Sequence, residues 1–568
     1  MRVNYIKNLR GLLLIGAVIC ISGVTKAQNA DVVGLDHVVQ DIPRFDPPIT
    51  RVLNLEIGEG GNNTGFDMAP ETTPKVVAAA VAHIKNKMPK GPFKPTWISL
   101  TDNYHVPGWF IGAKFGIFLH WGLYSVPAHQ SEWYEKHMYG NAGVAAWHAA
   151  HYGDPAHFGY KDFIPLFTQK HFRANQWAAL FKRAGARFVI PTAQHHDNFA
   201  LWDSKVTPYN VVKMGPKRDL IGELAVAVRK EGLKFGVSNH GIENFQFINP
   251  PDSLTKRLKA AKADLFDPEW KKFYHVADRS SLACQQFLVN WYERNVELID
   301  QYKPDMLWFD NGIDQRYLDP LKLEVAAYYY NRAKSWGKEV SISAKKAAYA
   351  PAGTNINTIG SILDFEGKVP PGIRTGVWQV DTKIGSSWGY TEDMKISSAA
   401  SILHKLIEVV SKNGTLLLNL SPTADGRIPE DQQQVLLSIG DWLNQNGQAI
   451  YDTHSWIRFS DKSGNTRINY TVKKDTLFAI LTGTWPQDAI TIASIKPGKL
   501  KGSVKEVTLL GRKAPLRFSQ QESGLKVYLP ADAPSNPAIV LKITGLKMNP
   551  STATKSGNPN FAGPVKAD

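Results

Sequence analysis

The sequence predicts an α/β protein: a (β/α)8-like, TIM-type barrel followed by a small antiparallel β-sandwich. The first observation is an alternation, across about 96–454, of short β-branched or aromatic runs with helical patterns, which is typical of parallel βαβ units. The second is a change at about 455, after which β-rich runs follow one another across Gly, Pro and Asp turns without helices. A length of 568 residues also favours two domains. A doubly wound open sheet is the alternative for the first domain.

Eight apolar runs are the expected barrel strands, and five amphipathic patterns between them are the expected helices. The strand runs are 115–121, 187–194, 234–239, 305–310, 339–344, 361–366, 377–381 and 415–420, and the helical patterns are 174–186, 218–232, 283–302, 320–336 and 396–412. A helix over 429–445 is expected to join the two domains. The β-rich runs of the second domain, 455–548, are 466–472, 476–482, 489–494, 504–510, 525–529 and 538–544.

The N-terminus has the pattern of a signal peptide over 1–27. Arg2, Lys7 and Arg10 precede an apolar run at 11–24, and a small residue, Ala27, closes a cleavage motif. The apolar run is too short to span a bilayer, so stable membrane insertion is not expected. We therefore expect export to the periplasm or the exterior, with cleavage near Ala27.

The remaining terminal segments have only a weak sequence pattern of helices or strands. Residues 28–95 are expected to form a partly ordered N-terminal extension, and 549–568, rich in Pro, Ser and Gly, a disordered tail. Of the two cysteines, Cys20 would leave with the signal peptide and Cys284 would remain alone. A disulfide framework and a cysteine-based metal site are thereby excluded.

The formal charge of +15 comes from basic residues that are scattered singly, with no Arg-rich arm. Nucleic-acid binding is therefore not expected, whereas an anionic polysaccharide is a compatible partner. The 16 tryptophans are typical either of sugar-stacking surfaces or of a large core. Self-association stays open.

Polar and titratable residues end several of the predicted barrel strands, where barrel enzymes place their chemistry. Each has a structural reading on its own: a histidine can be satisfied in the core, a tryptophan can fill it, and an aspartate before Asn-Gly can belong to a turn. Together at strand ends they predict a site. The ends are His120-Trp121-Gly122, His195-His196-Asp197, Trp308-Phe309-Asp310, Asp364-Phe365-Glu366, and the pair Gln379 and Asp381.

The residue types point to glycoside hydrolysis, which needs two carboxyl groups, polar partners for sugar hydroxyls and an aromatic face. Asp310 and Glu366 are the candidate carboxyls. The candidate polar groups and faces are His120, His195, His196, Trp133, Trp308 and Trp388.

Six segments in the same order resemble the α-L-fucosidases of glycoside hydrolase family 29, and the resemblance runs from about 100 to 455. The longest is KFGIFLHWGLYSVPA at 114–128, followed by Glu132-Trp133-Tyr134. The others are HHDNFALW at 195–202, WFDNG at 308–312, WQVDT at 378–382, SWGY at 387–390 and NGTLLLN at 413–419.

This resemblance implies release of α-L-fucose from fucosylated oligosaccharides or polysaccharides by retaining double displacement, with no cofactor and no metal. It implies Asp310 as the nucleophile. The implied substrate-binding residues are His120, Glu132, Trp133, His195, His196, Trp308 and Trp388.

The acid/base residue varies most in this family, and Glu366 is the predicted one because it ends a strand ahead of the Trp378 segment. A general acid must hold its proton, so Glu366 is expected to lie in drier surroundings than Asp310 or to feel its negative charge. Glu243 is the second candidate and Asp381 the third. Many relatives have Trp-Glu where this chain has Gln379, and many have Tyr where the third strand ends at His240.

Three other functions remain as alternatives. In a metal hydrolase His195, His196 and Asp197 would form a metal cluster with His120, but adjacent residues of a strand point to opposite faces, so His195 and His196 cannot easily bind one ion, and no HExxH spacing is present. A non-catalytic carbohydrate-binding protein would not need both carboxyls. A related retaining glycosidase that acts on another sugar can be distinguished from an α-L-fucosidase only by an activity assay.

Overall fold

Eight parallel strands close into a barrel in the computed structural model, which describes residues 73–351, 358–374, 376–486, 488–531 and 536–548. The barrel is closed because β1 pairs with both β2 and β8, so the predicted barrel is confirmed and the open sheet is excluded. The strands are β1 Phe115–Leu119, β2 Phe188–Gln194, β3 Lys234–Asn239, β4 Met306–Phe309, β5 Ser341–Lys345, β6 Ile362–Glu366, β7 Trp378–Lys383 and β8 Gly414–Leu420.

The barrel strands are apolar along most of their length because both of their faces are covered. Every residue of β1, β2 and β8 is buried, as expected of parallel strands with helices outside and packed side chains inside. Gly116 of β1 faces the ring of Phe188, and a side chain there would collide with that ring. The glycine thus lets neighbouring strands approach with a large aromatic between them.

Helices surround the barrel, and the predicted amphipathic patterns correspond to five of them. In the first of these, α6, Trp177, Ala178 and Phe181 are buried against the strands. The helices are α1 Pro74–Ala82, α2 Trp97–Asn103, α3 Gly108–Ala113, α4 Tyr134–Gly140, α5 Ala142–His151, α6 Ala174–Arg183, α7 Leu220–Lys230, α8 Asn244–Phe247, α9 Asp252–Ala260, α10 Lys271–Tyr274, α11 Ser281–Tyr302, α12 Asp319–Ser335, α13 Ala399–Ser411 and α14 Glu430–Asn446.

One helix lies within the segment expected to be a partly ordered extension. Helix α1 buries Val76, Val77 and Ala80 in the barrel's hydrophobic core and packs against α11 and α12. Residues 1–72, with the predicted signal peptide, and the predicted tail at 549–568 lie outside the described residues. Within the described part of the chain, no helix combines the length and the apolar character needed to cross a membrane.

The C-terminal domain is built from two antiparallel sheets that enclose a core of their own. One sheet has the order β13-β16-β11-β10-β9 and the other β12-β15-β14. Strands β9 and β14 have only four residues each, and neither was among the predicted runs. The strands are β9 Ser460–Ser463, β10 Thr466–Lys473, β11 Thr476–Gly483, β12 Ala489–Ile492, β13 Gly502–Leu509, β14 Phe518–Gln521, β15 Gly524–Tyr528 and β16 Ala538–Leu546.

The two domains are joined by specific hydrogen bonds as well as by apolar packing. The Trp442 indole of α14 donates to the Ala538 carbonyl at 2.8 Å, and the Asn469 amide of β10 donates to the Ser411 hydroxyl at 3.1 Å. The predicted connecting helix, 429–445, is α14.

Candidate active site

The carboxyl ends of the barrel strands gather acidic and imidazole side chains around one pocket. Asp310 is the residue after β4, and its Oδ2 lies 3.0 Å from His240 Nδ1 and 3.7 Å from His196 Nε2. Its Oδ1 lies 3.1 Å from Lys345 Nζ. Burial alone would raise the pKa of Asp310, but Lys345 and His240 hold it well below its usual range. Asp310 is therefore an ionised carboxylate at the floor of the pocket.

Lys345, the last residue of β5, is the centre of the site and was not among the predicted residues. Its ammonium lies 3.1 Å from Asp310, 3.1 Å from Glu366 and 3.2 Å from Asp381. Its side chain is only 7% exposed. Burial opposes its charge, but the carboxylates around it, Asp310 first, raise the pKa of Lys345 well above its usual value. It stays a cation that three carboxyl groups share.

The carboxyls around Lys345 differ in their surroundings. Burial raises the pKa of Asp381 well above its usual value despite the nearby ammonium. Asp364 accepts from the Trp308 indole at 2.7 Å and from the Gln379 amide, and burial raises its pKa as well. Of these three carboxyls, Asp310 is the one whose ionised form the surroundings favour most.

Removing the ammonium is expected to shift the pH profile of activity. In Lys345→Met the ammonium that lowers the pKa of Asp310 is gone, while the burial that raises this pKa remains. Asp310 therefore ionises only at higher pH. The acid-side limb of kcat/KM should move upward by about one to three pH units, the shift that a nearby opposite charge produces. Lys345→Arg keeps the charge and should keep the limb close to its original pH. An unmoved acid-side limb in the methionine variant would show that Lys345 does not set the ionisation of Asp310.

His120 is fixed in one tautomer by Asn419 of β8. The Asn419 side-chain oxygen accepts from the His120 backbone N–H at 3.0 Å and from its Nδ1 at 2.7 Å. Burial lowers the pKa of His120 well below its usual value, so the ring is neutral and its Nε2 is an acceptor. Asn419 also donates to the Trp388 carbonyl at 2.8 Å, so one buried amide places both residues.

His240, at the end of β3, is held between a hydroxyl and the candidate nucleophile. Its Nε2 lies 3.0 Å from Ser238 Oγ, and its Nδ1 donates to Asp310. Its ring stacks on His195, with centroids 4.7 Å apart. Burial lowers the pKa of His195 well below its usual value, so His195 is neutral as well.

His196 links the pocket to Glu243. Its Nδ1 lies 3.1 Å from the His240 carbonyl oxygen and 3.2 Å from Glu243 Oε2. Burial lowers the pKa of His196 to about 3. Burial, followed by the charge of Asp310, raises the pKa of Glu243 well above its usual value, and the side chain is enclosed.

The remaining predicted substrate residues form the walls. Glu132 Oε2 accepts from Ser387 Oγ and the Gly389 backbone N–H, each at 3.2 Å, and so joins its loop to the Trp388 segment. The Trp388 ring lies 5.1 Å from His120, and the Trp133 ring stands edge-on to His196 at 6.0 Å. These side chains share one pocket with Asp310.

Trp308 lies beneath this pocket. The residue is only 1% exposed, and its ring packs on Phe118 at 4.8 Å and on His240 at 5.1 Å. Its indole N–H is used by Asp364. Its contact with a sugar stays a prediction, and the structure gives it a support role under His240.

Glu366 differs from the expectation in its surroundings. Its side chain is 49% exposed and that of Asp310 is 13% exposed, so the expectation of a drier setting for Glu366 was wrong. The physical reason is its place as the last residue of β6, where the strand leaves the packed barrel and borders an open cavity. Access to the cavity is what a proton donor to a leaving group needs.

The two proposed catalytic carboxyls are close to each other. Asp310 Oδ1 and Glu366 Oε2 each lie 3.1 Å from Lys345 Nζ, so they cannot be farther apart than twice that distance. Retaining glycosidases hold their carboxyls about 5–5.5 Å apart, and inverting enzymes roughly 6.5–9.5 Å apart. The largest separation of these two oxygen atoms that Lys345 allows is therefore shorter than the carboxyl separations of inverting enzymes.

Two groups of side chains have ligand atoms close enough together to hold a metal ion. They are His120, His195 and His240, and His196, His240 and Asp310, with ligand atoms within 4.8 Å of one another. His195 and His196 follow the end of β2 and their rings lie 4.3 Å apart, but they belong to different groups, so neither group uses both adjacent histidines. The absence of a metal stays a prediction: dialysis against a chelator should leave hydrolysis unchanged, and a loss restored by zinc would contradict it.

Comparison with known proteins assigns the family. The family model described as alpha-L-fucosidase matches residues 80–448, and the model described as alpha-L-fucosidase C-terminal domain matches 461–544. The chain belongs to the α-L-fucosidase family. The family resemblance and the glycoside hydrolase activity expected from it are thereby confirmed. The α-L-fucosidase family also accounts for the pairing of a barrel with an antiparallel C-terminal domain.

Individual relatives agree with this assignment. Rat tissue alpha-L-fucosidase is 31% identical over 473 residues, covering 80% of this chain and 92% of the relative. Human plasma alpha-L-fucosidase is 33% identical over 449 residues, covering 77% and 88%. The crystal structure of Thermotoga maritima alpha-fucosidase in complex with fucose is 33% identical with a TM-score of 0.64, covering 80% of this chain and all of that one.

Proposed function

We propose that this fucosidase releases α-L-fucose by double displacement with Asp310 as nucleophile and Glu366 as acid/base. The observation that carries the proposal is the placement of both carboxylates on one ammonium, each 3.1 Å from Lys345 Nζ. Asp310 is ionised and mostly enclosed, as an attacking group requires. Glu366 borders the open cavity, as a proton donor to the leaving group requires.

In the first half-reaction Glu366 donates its proton to the glycosidic oxygen while the bond from that oxygen to the anomeric carbon breaks. Asp310 Oδ attacks the same carbon from the opposite face and forms a glycosyl ester. The leaving group departs as a neutral alcohol. At this step the negative charge beside Lys345 passes from Asp310, which becomes an ester, to Glu366, which becomes a carboxylate.

In the second half-reaction Glu366, now a carboxylate, takes a proton from water. The water oxygen attacks the anomeric carbon, the ester bond to Asp310 breaks, and fucose leaves with the configuration it had in the substrate. Two inversions give net retention, and Asp310 and the protonated Glu366 are restored.

The neutral histidines are proposed to hold the sugar hydroxyls. His120 presents an Nε2 acceptor because Asn419 takes its Nδ1–H, and His195 has an Nδ1 without a hydrogen-bond partner in the described part of the chain. Trp133 and Trp388 supply the faces for the apolar side of the ring, and Glu132 accepts from a further hydroxyl.

Truncating either histidine should therefore weaken the enzyme without unfolding it. A hydrogen bond between neutral groups contributes on the order of 1 kcal/mol, so His120→Ala and His195→Ala should each lower kcat/KM by about five- to tenfold or more. Asn419→Leu should lower it similarly by freeing the tautomer of His120. Wild-type kcat/KM in all three variants, measured with an aryl fucoside, would contradict the proposed cage.

Glu243 is the competing acid/base and is distinguished by access. Burial raises the pKa of Glu243, but the residue is only 4% exposed and its Oε2 faces His196, so it has no open path to a leaving group. Asp381, the third candidate, is 1% exposed and also faces Lys345. These differences support Glu366.

The experiment that tests the activity is a screen of aryl glycosides. α-L-Fucoside should be hydrolysed faster than α-L-galactoside and α-L-arabinoside, and β-D-glycosides should be inert. Faster hydrolysis of another sugar would identify a related glycosidase instead, and no hydrolysis of any substrate with intact binding of fucose would identify a carbohydrate-binding protein.

The predicted signal peptide supports export as the place of action, and we propose that the mature protein begins near Gln28. The N-terminal residue of protein recovered from the periplasm or the medium tests this directly. A mature chain that retains residues 1–27 would contradict it. Sedimentation of the same material would decide whether the protein self-associates.

A further inference from the structure

A cavity of about 340 Å³ lies beside the candidate catalytic pair, on the side of Glu366. Glu366, Thr382, Lys383, Trp388 and Lys405 line it. Its volume falls within the range of pockets that hold small molecules, roughly 300–1,000 Å³. It comes from the ends of β6 and β7 and from α13, and not from the strands that carry the histidines.

The position of this cavity makes it the leaving-group side of the site. Trp388 borders it and also lies 5.1 Å from His120, so the same indole adjoins both the cavity and a histidine proposed to hold fucose. Glu366 borders it and shares Lys345 with Asp310. A general acid protonates the oxygen between the two sugars, and the residue beyond that oxygen must lie where the acid is exposed.

Two lysines place positive charge in this cavity. Lys405 Nζ donates to Thr382 Oγ1 at 2.9 Å and to the Gly367 carbonyl at 3.3 Å, and Lys383 Nζ donates to the Ser386 carbonyl at 2.9 Å. These acceptors are neutral. Among the described residues, neither ammonium lies within 4.0 Å of a carboxylate oxygen.

The acidic groups nearby have other partners and form no ion pair with these two lysines among the described residues. Glu366 and Asp381 are paired with Lys345, and Glu132, the acidic group that interacts with Lys383, accepts from Ser387 and Gly389. Glu408, which faces Lys405, forms its ion pair with Lys412 at 2.7 Å. Each ammonium has three N–H donors, so a donor remains for a ligand on both lysines.

We propose that this cavity binds an anionic leaving group, a sugar unit bearing a sulfate ester or a carboxylate, through Lys383 and Lys405. Trp388 packs on the apolar face of that unit while the two ammoniums contact its charge. This inference rests on the proposed function, because it places the leaving group on the side of Glu366. The site selects substrates in which fucose is attached to an acidic unit.

The test uses three aryl α-L-fucosides with a para substituent: a carboxylate, a sulfonate in place of a sulfate ester, and a neutral carboxamide. The measured quantity is kcat/KM of each anionic substrate divided by that of the neutral one, which cancels changes in the catalytic step. Lys383→Gln and Lys405→Gln should each lower this ratio by about threefold, the size expected for a half-exposed ion pair. The double variant should lower it by about tenfold, and added salt should lower the wild-type ratio.

Two controls accompany these variants. Lys405→Arg keeps the charge and should keep the ratio. Lys182→Gln removes an exposed charge on α6, away from the cavity, and should behave as wild type. The carboxylate and the sulfonate together show which anion the cavity takes, since the preferred one gives the larger ratio.

Equal ratios in the wild type, the glutamine variants and the Lys182 control would overturn the anionic site. If the neutral fucoside is still hydrolysed in that case, the proposed function stands and only this inference fails. If none of the three fucosides is hydrolysed by the wild type, the proposed function itself fails.

Discussion

Replacing Asp310 by Asn is expected to abolish hydrolysis while leaving the fold intact. An amide cannot form the glycosyl ester, so kcat should fall by roughly a thousandfold or more, the order of loss found when a covalent nucleophile is removed. The barrel should survive because Lys345 keeps Glu366 and Asp381 as partners. Turnover of an aryl fucoside and the thermal transition of the variant are the two measurements.

Asp314→Asn is the matched control for this variant. It removes a carboxylate from the same loop. The Gly312 N–H donates to Asp314 Oδ1 at 3.0 Å, and the side-chain oxygen of an asparagine can still accept this hydrogen bond. Its activity should stay within a few-fold of wild type. Asp310→Gly should regain turnover with azide and give a fucosyl azide of inverted configuration. Turnover near wild type in Asp310→Asn would show that another group attacks.

Replacing Glu366 by Ala is expected to slow natural fucosides by about 10²- to 10⁴-fold, the usual contribution of general acid–base catalysis. Poor leaving groups need protonation to depart, so they should suffer most. An activated aryl fucoside should still form the glycosyl ester, because its leaving group departs without a proton. Its hydrolysis then stalls for lack of a base, and azide should restore turnover with a fucosyl azide of retained configuration.

Glu243→Gln distinguishes the two candidate acids. Glu243 is an enclosed carboxyl whose pKa burial raises, and glutamine has nearly the same shape and also carries N–H donors, so activity on natural linkages should stay close to wild type. Glu366→Gln should show the full loss. The reverse result, with Glu243→Gln inactive and Glu366→Gln active on natural linkages, would transfer the acid/base role to Glu243.

The architecture was predictable because the barrel strands are buried on both faces. Runs such as 187–194 and 415–420 are mostly apolar, and the strands they form are buried throughout, whereas the helices between them, such as α6, bury one face only. Each predicted run lies within one or two residues of a barrel strand. Short strands such as β9 and β14 could not be predicted from the sequence, because four residues with partly or fully exposed side chains have no hydrophobic pattern.

The chemistry of the site was predictable only in part. His120, His195, His196 and Asp310 follow strand ends, and the topology of a barrel brings strand ends together. Lys345 was missed because the fifth strand was predicted to end at Ala344, one residue before it. A lysine directly after an apolar run, in line with the other strand ends, was the available signal.

Other features depend on pairings that no local pattern contains. Asn419 fixes the tautomer of His120 across 299 residues of sequence, and only the pairing of β1 with β8 brings them together. The raised pKa of Asp381 depends on burial. The exposure of Glu366 depends on the cavity beside β6, which belongs to the three-dimensional arrangement of loops.

The most direct test of the central claim is to trap the glycosyl ester and locate it. Incubation with 2-deoxy-2-fluoro-fucosyl fluoride should slow the second half-reaction and leave one fluorofucosyl group on each chain, which mass spectrometry of peptides should place on Asp310. We expect this label on Asp310 in the wild type and no label in Asp310→Asn. Glu243→Gln should be labelled as the wild type is. A label on Glu243, Asp381 or Glu366 instead, or fucose released from an aryl α-L-fucoside with inverted configuration, would contradict it.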